Sequence, residues 1–347
     1  MARTGLGHAL HRGMSLMRYR VLPQIGHEVM RHRSPHQILH RWPDGEIPLG
    51  PRVCIYVHWD GGGEVRDHVQ HHLRSLAAAG VSVVFVTNAG RLRPAALEAV
   101  KLLCAGVIIR RNIGYDFGAW REGIEQAALP RPNTAMVMIA NDSVYGPIRP
   151  LHDLLSRIDF GAADVWGCTE SYQSRYHLQS YMMAFSPRVV DSEAWRGFWA
   201  SVRPTWAKVW LIRLYELGLT QQLLRAGFTC RAVWPYQDLV QDLDPELLTD
   251  FKEGGPNLAD PAVRGRQHHA RWIRGHSVER TPLNPTSDLW RQLLTAGFPF
   301  IKRELLRDNP TRVSDVADWR DVAAANHGMN LAPIERDLQR TLKNQAP

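Results

Sequence analysis

The chain has 347 residues, of which 44% are apolar and 22% are charged, a composition typical of folded globular proteins and unlike that of a disordered chain. None of its four cysteines forms a Cys-x-x-Cys pair, which argues against a zinc ribbon or redox motif and predicts buried, reduced thiols. No apolar run approaches the length of about 20 residues that spans a bilayer, and a signal-peptide apolar region is lacking, so the sequence predicts a cytoplasmic protein.

The positive charge is concentrated near the amino terminus. The formal net charge is +8, and residues 1–45 carry seven arginines against two acids. These arginines are interspersed with apolar side chains such as Leu22 and Ile25, as in a solvated basic arm or in an amphipathic segment on the inner membrane surface. Because no helix-turn-helix, RNP or zinc-finger pattern accompanies the charge, we expect no nucleic-acid partner.

Prolines and glycines near residue 50 predict a domain boundary after the basic arm. The sequence predicts three parts: a basic amphipathic extension over 1–50, a domain over 51–240, and a C-terminal helical and turn-rich extension over 241–347 that packs on the domain.

From residue 53 onwards, apolar runs of strand length alternate with segments of helical periodicity. Four such runs end at Trp59, Thr87, Ile109 and Ala140, and each is followed by a polar turn. This alternation is typical of βαβ crossovers. We therefore predict an α/β fold with a mostly parallel sheet flanked by helices, and ligands in such sheets bind beyond the carboxyl ends of the strands.

After Pro150 the pattern is less regular. Residues 235–285 are predicted to be rich in turns. Elsewhere the periodicity predicts a helix over 151–158, strands over 163–168 and within 177–185, helices over 195–210 and 215–227, and a helical region over 288–306 that is interrupted near Gly297 and Pro299.

The turn after the first run contains Asp60 followed by three glycines. It does not fit the dinucleotide pattern Gly-x-Gly-x-x-Gly, because Arg66 stands where the third glycine should be. Asp60 is compatible either with a hydrogen bond to a nucleotide or with an ordinary strand-to-helix turn.

The turn after the third run contains Asn112, Gly114 and Asp116. Asn and Gly tolerate left-handed backbone angles, and Asp116 stands where a helix N-cap is expected. The alternative is that the glycines let the backbone approach a diphosphate, with helix-start amides as donors.

The fourth run ends in Asn141, Asp142 and Ser143. Their oxygens are suitable ligands for Mg²⁺ or Mn²⁺, and the alternative is an Asx-turn. His68 and His72 lie one helical turn apart, but no third zinc ligand is placed nearby in the sequence, so we predict a solvated helical face.

Over roughly residues 50–310, this succession of motifs resembles the rhamnan synthesis protein F family. The resemblance is carried by the Asp60 turn, Asn112 to Trp120, Asn141 to Pro147, His177 to Tyr181, Tyr215 to Thr220, and Asn284 to Pro310. Members are regarded as GT-A-type glycosyltransferases that build rhamnose-containing cell-surface polysaccharides from nucleotide-activated sugars. The resemblance implies a GT-A-like nucleotide-sugar and acceptor domain over 51–240.

The resemblance also implies roles for individual residues. Glu216 corresponds to the general base of inverting members, although Leu217 replaces a second acid. Asp142 occupies the place of the Asp-x-Asp metal motif with one carboxylate instead of two, which leaves Mg²⁺ or Mn²⁺ dependence open. The expected donor-binding residues are His58, Asp60, Asn88, Asn112, Gly114, Asp116, Asn141 and Ser143, and the expected acceptor or donor contacts are His177 and Gln179.

The expected function is an inverting transfer of a sugar, rhamnose from dTDP-rhamnose, to a lipid-linked glycan at the inner membrane surface during polysaccharide or O-antigen synthesis. Two alternatives remain open: a non-catalytic polysaccharide assembly factor with the same fold, and a sugar-phosphate transferase.

Overall fold

The computed structural model describes residues 37–203, 211–241, 260–327 and 331–343. A nine-stranded sheet forms its centre, with the order β1-β4-β3-β2-β5-β9-β7-β10 and β8 paired to β7. A second, two-stranded sheet pairs β6 with β11. The strands are β1 (Ile38–Trp42), β2 (Arg52–His58), β3 (Ser82–Thr87), β4 (Gly106–Arg110), β5 (Met136–Asn141), β6 (Val144–Tyr145), β7 (Val165–Ser171), β8 (His177–Leu178), β9 (Met182–Phe185), β10 (Cys230–Trp234) and β11 (Ile301–Lys302).

The sheet is mostly parallel, which confirms the predicted α/β fold. Strands β4, β3, β2 and β5 run parallel to one another, and β10 is parallel to β7. Strand β9 lies antiparallel between β5 and β7, and β1 is antiparallel to β4 at the edge. The carboxyl ends of β2, β5 and β7 therefore lie at the same edge of the sheet.

Helices cover both faces of the sheet. They are α1 (Asp67–Ala78), α2 (Pro94–Leu103), α3 (Tyr115–Gln126), α4 (Leu151–Leu155), α5 (Pro187–Val190), α6 (Glu193–Ser201), α7 (Leu217–Arg225), α8 (Tyr236–Gln241), α9 (Pro261–Val278), α10 (Pro285–Asp288), α11 (Trp290–Thr295), α12 (Arg303–Arg307), α13 (Trp319–His327) and α14 (Ala332–Lys343). A π-helical turn (Ile212–Glu216) precedes α7, and a 3₁₀ turn (Val316–Asp318) precedes α13.

Successive side chains of each central strand enter two different cores. Cys54 and Tyr56 of β2 pack in the core that includes α1 and α2, whereas Ile55 and Val57 pack in the core that includes α3, α6 and α7. Because strands buried on both faces have no polar side to show, they appear in the sequence as continuous apolar runs.

The amino-terminal boundary differs from the prediction. Strand β1, within the predicted 1–50 extension, pairs with β4 and belongs to the sheet. Residues 1–36, which carry most of the predicted basic and membrane-binding segment, lie outside the described residues. Every helix among the described residues is too short or too polar to span a bilayer.

The second half contains more regular structure than predicted. The region 235–285, predicted to be rich in turns, contains α8 and the 18-residue helix α9. The helical region predicted over 288–306, with an interruption near Gly297, is found as α11 and α12 separated by Gly297, whose φ is 85°, and by the unpredicted strand β11. The helix predicted over 195–210 is found as α6, and residues 204–210 lie outside the described residues.

Helix α14 packs against α1, and His68 and His72 of α1 are buried, so the predicted solvated face is wrong for these two residues. The ring of His68 lies 5.1 Å from that of Tyr145, and His72 Nδ1 lies 3.5 Å from the hydroxyl of Tyr56. Burial lowers the pKa of both imidazoles to about 3, so both are neutral near pH 7.

Candidate active-site cleft

A polar cleft of about 490 Å³ opens beyond the carboxyl end of β5. It carries two half-buried carboxylates (Asp116 and Glu216), two exposed carboxylates (Glu304 and Asp308) and three cationic side chains. Its lining residues include Asp116, Asn141, Ser143, Gln179, Ser180, Glu216, Asn284, Thr286, Lys302, Arg303 and Arg307. In an open α/β sheet, this edge is the usual place for a ligand.

One wall of the cleft is the turn that follows β5. Asn141 Oδ1 accepts hydrogen bonds from the backbone N–H (3.1 Å) and hydroxyl (2.6 Å) of Ser143, as in an Asx-turn. Asn141 Nδ2 donates to Asp116 Oδ2 over 2.8 Å. The turn therefore has the geometry of the Asx-turn that the sequence allows, and it also faces the cleft.

Asp116 is held by this contact and does not cap its own helix. The N-cap of α3 is Gly114, whose φ is 83°, and no side-chain cap bond is made. The pKa of Asp116 is raised to about 6, chiefly by burial and also by the charges of Asp142 and Glu216, while Asn141 and Lys302 act in the opposite direction. Asp116 thus titrates close to physiological pH.

Glu216 forms the opposite side of the cleft. It is the last residue of the π-helical turn before α7, and such turns often lie at functional sites. Its Oε1 accepts hydrogen bonds from the backbone N–H (3.2 Å) and hydroxyl (3.0 Å) of Ser180. Glu216 is close enough to Asp116 for its charge to raise the pKa of Asp116.

A segment distant in sequence supplies the cations. Strand β11 pairs with β6 so that Lys302 lies opposite Val144, and the backbone N–H of Arg303 donates to the carbonyl of Ser143 over 3.0 Å. Lys302 Nζ donates to the Ser143 hydroxyl over 3.1 Å. The pairing of β6 with β11 therefore fixes the cationic wall of the cleft.

The close approach of these two segments requires Gly146. Its φ is 123°, and a Cβ at this position would lie 2.5 Å from the carbonyl oxygen of Pro299. The same carbonyl accepts a 2.8 Å hydrogen bond from the backbone N–H of Ile148. No larger residue fits here without moving the Pro299 backbone.

Arg303 is bound by two acids. Its Nη1 donates to the backbone carbonyl (2.8 Å) and to Oδ2 (3.1 Å) of Asp142, and its Nη2 lies 3.8 Å from Asp337 Oδ2. Asp337, on α14, also accepts hydrogen bonds of 2.7 Å from the Tyr145 hydroxyl and from Arg66 Nη1. This network fixes the guanidinium of Arg303 beside the cleft.

The side chains at Asp142 do not fit a divalent metal ion. Its Oδ2 already contacts the Arg303 guanidinium and accepts a hydrogen bond from the Trp59 backbone N–H at 3.4 Å. A divalent metal ion at this oxygen would therefore have to displace the guanidinium. The neighbouring Asn141 Oδ1 is taken by Ser143. Over the described ranges, no group of three or more His, Cys, Asp or Glu residues is arranged to hold a metal.

The structure brings some of the predicted site residues together at the cleft. Asp116, Asn141, Ser143, Gln179 and Glu216 line it. Gln179 Nε2 donates to Asn284 Oδ1 over 3.1 Å, which connects the middle of the chain to the start of α10.

Other predicted residues form the supporting structure instead. Asp60 accepts from the backbone N–H groups of Gly62 and Glu64 and so folds its own turn. Asn88 is buried and bonded to the Arg110 guanidinium, which also pairs with Glu122.

Four further predicted residues lie outside the cleft lining. His58 is buried with Nδ1 3.0 Å from the Thr87 hydroxyl, and burial lowers its pKa. The Nδ1 of the buried His177 lies 2.8 Å from the carbonyl of Arg175. Asn112 is exposed, and Gly114 has the predicted left-handed backbone.

Lys302, Arg303, Arg307 and Ser180 line the cleft although none of them is predicted individually as a site residue. The first three belong to the segment Ile301 to Pro310, which the sequence marks only as part of a family motif. The one local feature is a run of basic residues next to Phe298-Pro299-Phe300, and such a run is equally typical of a solvated helical face.

The fold and cleft together define an α/β protein with a charged ligand cleft at the carboxyl edge of its parallel strands. The model of the family described as rhamnan synthesis protein F matches residues 83–251, which confirms the resemblance predicted from the sequence.

Named relatives come from two bacteria. A protein of Vibrio anguillarum described as virulence protein VirA is 31% identical over 212 residues, covering 60% of this chain and 64% of the relative. The uncharacterized protein y4gN of Sinorhizobium fredii is 30% identical over 202 residues, covering 57% of this chain and 52% of the relative. The matched part of this chain thus spans less than two thirds of each relative.

Two solved structures align over most of the chain at low similarity. Mannosyltransferase PcManGT from Pyrobaculum calidifontis, in complex with GDP-Man and Mn²⁺, aligns with a TM-score of 0.35 and 13% identity over 97% of this chain and 92% of that one. S. aureus TarS 1-349 aligns with a TM-score of 0.33 and 11% identity over 80% of this chain and 92% of that one. The fold class is defined by the strand order and not by these alignments.

Proposed function

We propose that this protein is a glycosyltransferase that moves a sugar from a nucleotide-sugar donor to an acceptor hydroxyl. The observation that carries the proposal is the cleft itself, where Asp116 and Glu216 line the same space as the cationic side chains Lys302, Arg303 and Arg307 at the carboxyl edge of the sheet. Glycosyl transfer needs a carboxylate to take the acceptor proton and positive charge beside the departing diphosphate. The family match over residues 83–251 supports this class of reaction.

Glu216 is the proposed general base of an inverting transfer. Ser180 donates both of its hydrogen bonds to Oε1, so Oε2 is the oxygen that would take the acceptor proton. Asp116 and Asn141 would hydrogen-bond hydroxyls of the donor sugar, and Gln179 would contact the acceptor or the donor. Asp142, assigned from the resemblance to metal binding and catalysis, acts in this proposal through Arg303.

The finer assignment is the transfer of rhamnose from dTDP-rhamnose to a lipid-linked glycan at the cytoplasmic face of the membrane. The family description supports it, because rhamnan is a polymer of rhamnose. The basic residues 1–45 would bring the protein to the anionic membrane surface.

A donor panel tests the proposal. Purified protein is mixed with dTDP-rhamnose, UDP-sugars or GDP-sugars and a lipid-linked glycan fraction, and released nucleotide and glycan mass are followed. We expect the wild type to release nucleoside diphosphate, and Glu216→Gln to lower the rate of release by a factor of about 10² or more. Glu193 is an exposed acid outside the cleft, so Glu193→Gln should leave the rate unchanged.

Other outcomes identify the alternatives. Release of nucleoside monophosphate would indicate a sugar-phosphate transferase. Neither turnover nor binding of any donor would indicate a non-catalytic assembly factor. Full activity of Glu216→Gln would refute the assignment of the base.

A further inference from the structure

We infer that cationic side chains bind the diphosphate of the donor and take over the role that a metal ion has in metal-dependent transferases. This inference rests on the proposed nucleotide-sugar donor. These side chains are Lys302, Arg303 and Arg307, called here the cationic cradle. The cradle makes the reaction independent of Mg²⁺ and Mn²⁺.

The first argument is that Arg303 already pairs with Asp142, the acid at which the sequence predicts a metal ion. Its guanidinium contacts both the carbonyl and the carboxylate of Asp142, the residue that stands where a metal-binding acid was expected. The side chains of Asp142 and Arg303 are each only 16% exposed, so the pair is weakly screened by solvent. A divalent ion would have to break this pair, leave Arg303 beside it, and find further ligands.

The second argument is the arrangement of the cradle. Arg303 and Arg307 are one helical turn apart on α12, so their side chains lie on the same face of the helix. The Nε atoms of both arginines are buried and make no hydrogen bond within the described part of the chain. Buried donors without partners are costly, and a bound anion would satisfy them.

The third argument is preorganisation. Lys302 is held near the β5 turn by the Ser143 hydroxyl, and Arg303 by Asp142 and Asp337. Guanidinium groups bind phosphate oxygens through paired hydrogen bonds, and fixed donors stabilise a departing diphosphate without reorganising. The cradle thus supplies the charge that a metal ion supplies elsewhere.

The test measures binding of dTDP, UDP, GDP and inorganic pyrophosphate by calorimetry, in EDTA and again with Mg²⁺ or Mn²⁺. We expect at least one nucleoside diphosphate to bind with the same affinity in EDTA as with metal. Arg307→Ala and Lys302→Ala should each weaken that binding by at least about tenfold, since each removes a charge-assisted hydrogen bond. Arg225→Ala removes the same charge from an exposed site outside the cleft and should leave the affinity unchanged.

The melting temperature of each variant shows whether it is folded. If Arg307→Ala is unfolded, Arg307→Lys replaces it in the test, because it keeps the charge and removes the guanidinium. Binding or transfer that occurs only with a divalent ion would overturn the cradle and leave the proposed transferase intact. Wild-type affinity in folded Arg307→Ala and Lys302→Ala would also overturn the cradle. If no nucleoside diphosphate binds under either condition, both proposals are refuted.

Discussion

Asn141 Nδ2 lies 2.8 Å from Asp116 Oδ2, and this hydrogen bond joins the end of β5 to the first turn of α3. The two turns that follow neighbouring apolar runs in the sequence therefore meet through their side chains. The contact turns Asp116 away from the cap of its own helix and into the cleft, where burial raises its pKa to about 6. Burial at this position makes the site sensitive to pH, since the hydrogen bond from Asn141 by itself acts to lower the pKa of Asp116.

Transfer activity should rise with pH through about 6. An acid that binds sugar hydroxyls or takes a proton acts in its ionised form, and the raised pKa of Asp116 keeps it partly protonated below that pH. Profiles of kcat/KM between about pH 5 and pH 8 should show this rise for the wild type and lose it in Asp116→Asn. Asp153→Asn, at an exposed acid, is the control and should keep the wild-type profile. A flat wild-type profile would contradict the prediction.

Asp116→Asn should also stabilise the protein above neutral pH. A carboxyl pKa raised from 3.8 to about 6 means that the folded state binds the proton more tightly, so the stability it contributes is present below pH 3.8 and lost as the pH rises through about 6. Asparagine carries no charge and avoids that loss. Urea unfolding at about pH 8 should show a gain of about 1–2 kcal/mol that disappears near pH 4. A variant that is less stable at both pH values would show that the Asn141 contact matters more than the charge.

Asp337→Asn should destabilise the protein by about 3 kcal/mol, because it removes a buried charge that faces Arg66 and Arg303. Burial alone would raise the pKa of Asp337, but His68, Tyr145, Arg66 and Arg303 hold it below the ordinary value. Its contribution is therefore present above the ordinary pKa and lost as the pH falls through the folded value.

Denaturant unfolding checks this prediction. The wild type should lose stability in acid more steeply than Asp337→Asn. Asp321→Asn, an exposed acid on α13, should change the free energy of unfolding by no more than about 0.5 kcal/mol. Equal effects of the two substitutions would exclude a special role for Asp337.

Gly146→Ala should reduce both stability and nucleotide affinity. The added Cβ would meet the Pro299 carbonyl at 2.5 Å and push the segment carrying Lys302 away from the cleft. Gly80→Ala is a matched control, since Gly80 also has a positive φ (73°) but open space around its Cβ position. We expect Gly80→Ala to cost about 1 kcal/mol without affecting affinity, and Gly146→Ala to cost more and to weaken nucleoside diphosphate binding. Calorimetry and thermal unfolding of the pair separate backbone strain from displacement of the cradle.

The central strands could be predicted from local sequence alone. The apolar runs predicted at 53–59 and 81–87 correspond to Arg52–His58 and Ser82–Thr87. Because these strands are buried on both faces, they are continuously apolar, and they can be recognised as strands even when their partner strands are not known.

Elements fixed by distant partners could not be predicted in this way. Strand β1 includes the polar residues His40 and Arg41, and β11 has only two residues, so each is defined by its pairing with β4 or β6. The helix Pro261–Val278 contains two glycines and several histidines, which have low helix propensity, and its burial around Ile273 stabilises it.

The same limit applies to the cleft. Asp116 could be proposed from the sequence because it follows a recognisable apolar run, and Glu216 because of the family resemblance. The run from Lys302 to Arg307 has the appearance of a solvated amphipathic helix, and only its pairing with β6 directs it to the site. The burial of the two histidines likewise depends on distant segments, since His68 lies 3.7 Å from Asp337 of α14 and His72 packs against Phe300.

The hydrogen bond between Arg66 and Asp337 joins residues 271 positions apart. During synthesis on the ribosome, every strand of the large sheet is made before the helix that carries Asp337. Arg303 would therefore gain its second acidic partner last, when that helix packs against α1. A nascent or proteolytically shortened chain without that helix would have the large sheet in place while Asp142 alone holds the guanidinium of Arg303.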